Sequence, residues 1–137
     1  MTKSTQHIRC LTFLFSLVSA GAAVAADIPA EFNGTWKPQN KNCQGDAALV
    51  VSSDSFTLTG QGRRQRFPNI DLCYSCEGGA RYAGIVVWAT PMPPRGEAPF
   101  IVKFNADEKK GVTVVEVGDE RLAKAFPLMG VPLQKCP

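Results

Sequence analysis

The cleanest hydrophobic pattern lies at residues 55–59, where Phe56 and Leu58 alternate with Ser55, Thr57 and Thr59. A period of two sends one face to a core and the other to water, so this stretch predicts a β-strand. Residues 47–51, Ala-Ala-Leu-Val-Val, predict its neighbour across a Ser52-Ser53-Asp54 turn. In residues 81–90 apolar side chains occupy both faces, as in a central strand. Phe100, Val102 and Phe104 oppose Lys103, the polar run 106–111 ends in glycine, and 112–117 forms the partner strand. The adjacent Val114 and Val115 break the alternation there and predict a bulge. An earlier strand opens around the Asn33-Gly34 turn signal, between Phe32 and Trp36. Only residues 118–127 read as helical: Asp119 supplies a cap, Leu122, Ala125 and Phe126 share a face, and Pro127 ends the run.

Short strands at close spacing with one appended helix predict a mainly β fold. The expected architecture is a small single-domain antiparallel β-barrel or sandwich with one short helix near the C-terminus. Residues 1–26 stand apart. Lys3 and Arg9 precede an apolar run over 11–24, and Ala23, Ala25 and Ala26 follow in the pattern of a cleavage site. That order predicts a signal peptide, and the run is shorter than the roughly 20 residues of a spanning helix. The expected mature domain is 27–137, exported to the periplasm, with an extracellular location as the alternative, and has no transmembrane segment.

Removing that leader changes the chemistry. His7 is the only histidine, so residues 27–137 contain none. A Ser-His-Asp or Cys-His nucleophile system and a histidine-bearing metal site then cannot form. No paired carboxylates stand in a recognisable frame, which predicts no enzyme, no metal and no cofactor. The chain has 15 Lys and Arg against 12 Asp and Glu, and Lys3 and Arg9 leave with the leader. The remainder is nearly neutral, so nucleic acid is not an expected partner.

Cys43, Cys73, Cys76 and Cys136 also remain, which predicts two disulfides in an exported domain. Cys43–Cys136 with Cys73–Cys76 is the favoured connectivity, and the crossed pairings are its rivals. The Cys-x-x-Cys at 73–76 also admits a thiol-redox reading. Glycines follow it, though, where an oxidoreductase places a helix, and Glu77 would disfavour a thiolate.

Two surface features are the interaction candidates. Pro91, Pro93, Pro94 and Pro99 make 91–99 a stiff, hydrogen-bond-poor loop that presents Met92, Pro93, Pro94 and Arg95 at low entropic cost. Arg63, Arg64 and Arg66 concentrate positive charge on one short segment, suited to an anionic partner. The same arginines would also protect a strand edge from aggregation.

Gly34-Thr35-Trp36, opening the first strand, resembles the Gly-x-Trp start of lipocalin-type barrels and of bacterial metalloprotease-inhibitor barrels. That resemblance covers three residues and implies a tryptophan plugging one end of a barrel. Residues 78–82 are similar to the Ser-Gly-x-x-Tyr loop of periplasmic C-type lysozyme inhibitors, with Gly78 in place of its serine. The reading that follows is a small exported, disulfide-stabilised binding protein whose partner is a protein or an envelope component. The alternatives are a lipocalin-like carrier of a small apolar ligand, or a thiol-redox protein using Cys73 and Cys76.

Overall fold

A computed structural model describes residues 27–76 and 86–137. Nine strands form one antiparallel sheet: β1 Gly34–Pro38, β2 Ala48–Val51, β3 Ser55–Gly60, β4 Arg63–Pro68, β5 Ile70–Cys73, β6 Val87–Pro91, β7 Phe100–Phe104, β8 Thr113–Val117 and β9 Leu133–Lys135. Among the described residues one α-helix, α1, spans Glu120–Ala125 between β8 and β9. The strand order is β4-β3-β2-β1-β9-β8-β7-β6-β5, so the first and last strands of the chain are neighbours in the middle of the sheet. Its two end strands, β4 and β5, are consecutive in sequence and separated only by Asn69, which is left-handed at φ 60°. One bent segment therefore belongs to both edges and curls the sheet into a nearly closed barrel.

The interior follows from the alternation. Phe56 and Leu58 from β3, Phe100, Val102 and Phe104 from β7, and Val115 from β8 have no exposed surface. Phe104 stacks on Phe32 with ring centroids 4.2 Å apart, and Phe56 meets the rings of both Phe100 and Phe104. Fully burying one such side chain contributes on the order of 1.5–3 kcal/mol before the entropy of ordering it. Trp36 is 2% exposed, and its indole Nε1–H donates to the Phe32 carbonyl at 2.8 Å. The 3₁₀ turn Ala30–Phe32 is thus tied to β1 through the buried Trp36.

Two sequence expectations change. The β7–β8 register runs unbroken from Phe100↔Val117 to Phe104↔Thr113, so no bulge forms at Val114–Val115. Val115 points inward and Val114 rests half-buried on the outer face, a position that tolerates an aliphatic side chain. Trp88, expected in the core, is half-buried on the outer face instead, because the alternation of β6 assigns the interior to Val87 and Ala89. Lys103 covers it, with Nζ 4.2 Å from the ring centroid and 2.6 Å from Glu116. The part of the predicted 81–90 strand before Val86, with Tyr82, lies outside the described residues, as do the signal peptide and the 78–82 motif.

The expected helix is present but short. Asp119 accepts from the Arg121 backbone N–H at 2.9 Å, and the Arg121 side chain holds that carboxyl below its ordinary pKa. Among the described residues, no helix is long and apolar enough to cross a membrane.

Candidate functional site

Both disulfides lie at strand ends. Cys43 bonds to Cys136, linking the loop after β1 to the residue that follows β9. Cys73 bonds to Cys76 and terminates β5, where it pairs with Trp88 on β6. Cys73 thus sits at the end of a strand, and the residues that follow Cys76, from 77 to 85, lie outside the described residues. Two disulfides fit an oxidising, exported compartment. Among the described residues, no group of three or more His, Cys, Asp or Glu side chains could hold a metal ion.

The proline loop folds back against the bend between β4 and β5. Phe67, Pro68 and Asn69 form one wall of a largely apolar groove of about 390 Å³, and Pro91–Pro94, Glu97 and Pro99 form the other. The loop is fixed at both ends. The Met92 N–H donates to the Asn69 carbonyl at 2.9 Å, and the Gly118 and Asp119 N–H groups both donate to the Pro99 carbonyl, at 3.0 and 2.8 Å. Phe67 packs edge-on against Phe100 at 4.9 Å, anchoring the opposite wall to the core. Met92, at 50% exposure, is one of the most exposed large hydrophobic side chains described.

Of the residues the sequence singled out, the groove takes in Met92, Pro93 and Pro94. Arg95 is exposed in the same loop but does not line it. Sequence reasoning missed Phe67, Pro68, Asn69 and Glu97. A Pro-Asn dipeptide is a turn signal, yet nothing local shows that this turn meets the proline loop.

Gly118 matters for the loop's second anchor. A Cβ there would sit 2.4 Å from the Ala98 carbonyl oxygen and 2.8 Å from that of Pro99, both backbone atoms. Gly118→Ala is therefore expected to cost about 1–3 kcal/mol by overpacking and to release the end of the loop. Chemical denaturation together with faster hydrogen exchange at the Asp119 amide checks this. Wild-type stability and protection would mean that the contact relaxes freely.

The arginines occupy β4, and Arg63, Arg64 and Arg66 are all exposed. Arg66 donates through Nε to the Ser55 hydroxyl at 3.2 Å and pairs with Asp54 at 3.2 Å. The Ser55 hydroxyl and then the Arg66 charge hold the Asp54 carboxyl below its ordinary pKa. Arg63 and Arg64 make no ion pair among the described residues. The groove therefore begins one residue beyond the arginine segment, at Phe67. The chain matches no protein-family model, no curated protein and no solved structure.

Proposed function

We propose that this chain is an exported, periplasmic binding module that engages a protein or envelope component through the proline-lined groove and carries out no catalysis. The observation that carries this reading is the groove itself. It is apolar, walled by prolines, held at both ends by backbone hydrogen bonds, and flanked by the half-exposed Met92. A loop whose φ angles are preset loses little entropy on binding, so more of the contact energy survives as affinity. The absence of histidine from 27–137 supports binding over chemistry. The carrier reading has less support, since phenylalanine, leucine and valine side chains fill the interior positions of the barrel.

The test compares the protein with a Met92→Ala, Arg95→Ala variant as baits for cross-linking in an envelope extract of the source cells. The expected result is a partner captured by the wild type and reduced about tenfold by the double substitution, the scale of one interface hot spot. The circular dichroism spectrum and unfolding midpoint should stay unchanged. Equal capture by both baits, or no specific capture by either, defeats the proposal.

A further inference from the structure

β4 ends the sheet, so among the described residues the edge it turns away from β3 meets no other strand. Among the described residues, no loop backbone bonds to Arg63–Phe67 either. The register explains why. Ile70 pairs with Pro91, and the Met92 N–H reaches Asn69, so the next pairs in that register would be Pro68 with Pro93 and Phe67 with Pro94. Three of those four residues are prolines and have no N–H to give. The ladder between the bent segment and β6 cannot continue past Asn69, and the seam opens into the groove. Among the described residues, β4 is left with a bare outer edge that runs into an apolar groove and carries three exposed arginines.

We infer that this edge accepts an extended acidic segment of the partner, which adds to β4 as a further strand and seats one apolar side chain in the groove. The inference rests on the groove being the binding site. Alternate residues of β4 direct N–H and C=O groups away from β3, and main-chain pairing to such an edge selects an extended chain. From Arg63 to Pro68 the edge offers six residues, about 20 Å at roughly 3.3 Å per residue. A segment that starts beside Arg63 thus reaches the groove at Phe67.

Charge selects the class of occupant. Arg64 and Arg66 share the outer face, in register with Thr59 and Thr57. Carboxylates at alternate positions of an added strand would lie across from them, the favourable cross-strand pairing. A second copy of this chain fits badly, because β4 against β4 opposes arginine to arginine. Asp54 already occupies Arg66 in part, which leaves Arg64 as the main determinant on that face, while Arg63 adds positive charge at the start of the strand. Glu97 on the groove wall disfavours an acid there, so the end of the segment that enters the groove is apolar.

The experiment uses fluorescein-labelled peptides of the form Glu-Val-Asp-Val-Glu-X, with X as Leu, Met, Phe or Trp, titrated against the full exported protein at low salt. Two controls accompany each: a version with Lys at the acidic positions, and one N-methylated at alternate amides. The expected result is saturable binding of at least one acidic peptide that weakens as salt is added, with each control at least tenfold weaker. Amide chemical shifts should move along 63–67. Arg63→Glu with Arg64→Glu should weaken that peptide at least tenfold at an unchanged unfolding midpoint.

Failure of every acidic peptide, or equal binding of the N-methylated version, overturns the inference. So does binding to phosphatidylglycerol vesicles that the peptides do not compete away, which would assign the arginines to a lipid surface. If the arginine variant still captures the envelope partner while the Met92, Arg95 variant does not, the groove stands as the binding site and the strand-addition mode falls. If the peptides bind and the Met92, Arg95 variant captures normally, it is the groove that falls.

Discussion

Truncating Phe104 to alanine will cost the fold about 3–5 kcal/mol, the range for removing a phenyl ring from a packed core. Phe104 has no exposed surface and touches three other rings: Phe32 stacked at 4.2 Å, Trp36 at 5.9 Å and Phe56 at 6.3 Å. Its loss therefore opens a void and also loosens the Ala30–Phe32 turn, whose Phe32 ring stacks on it. Domains of this size hold about 5–15 kcal/mol in total, so one substitution would remove a large share. Urea denaturation should show a lower midpoint at an unchanged slope, which separates lost stability from a change in the unfolded state. A double-mutant cycle with Phe32→Ala should return a coupling of about 0.5–1.5 kcal/mol for the stacked pair. A total cost below about 1 kcal/mol would mean that the interior collapses around the missing ring. Such a loosely filled barrel would bring the carrier reading back, and an environment-sensitive apolar dye would be the next probe.

The same residues show why much of this fold was legible in the sequence. β3 and β7 are six and five residues long: β7 alternates buried with half-buried positions, and β3 alternates Phe56 and Leu58 with Ser55, Thr57 and Thr59 in residue type, although Ser55 and Thr57 are buried as well. A period of two is visible when a strand has room to repeat it. β5 and β9 were not legible. Ile70–Cys73 carries Asp71 in its middle, and Leu133–Lys135 is three residues long. Neither shows a period, and each forms because a neighbouring strand already offers its edge. Trp88 failed for a different reason. Its side chain is apolar, but Lys103 lays an ammonium group over the ring and makes an outer-face tryptophan acceptable. For the site, the prolines marked one wall of the groove from sequence alone. The other wall depends on a register between residues more than twenty positions apart, Ile70 with Pro91, and no local pattern encodes that.

Replacing Cys43 and Cys136 together by serine should remove about 2–5 kcal/mol, the usual cost of deleting a native disulfide from a small exported domain. The bond spans 93 residues of sequence, for which the chain-entropy argument alone gives about 4–5 kcal/mol. The structure adds a reason for the larger figure. The first and last strands meet in the middle of the sheet, where β9 contributes three residue pairs to β1 and a single pair, Thr113↔Leu133, to β8. The β8–β9 ladder is thus the thinnest in the sheet, and the Cys136 N–H, donating to the Thr35 carbonyl at 2.8 Å, extends the β1–β9 ladder by one step. Cys43–Cys136 secures this junction, so the serine variant should show its fastest hydrogen exchange at 133–136 while β2 and β3 stay protected. Cys73–Cys76 spans only three residues, and the same entropy argument assigns it no more than about 2 kcal/mol. Cys73→Ser with Cys76→Ser should accordingly be the milder variant in the same denaturation assay. Equal costs for the two pairs would mean that Cys73–Cys76 holds more than its own turn. The outer face where Cys73 pairs with Trp88 would then be part of what keeps the bent strand, and with it the groove, in place.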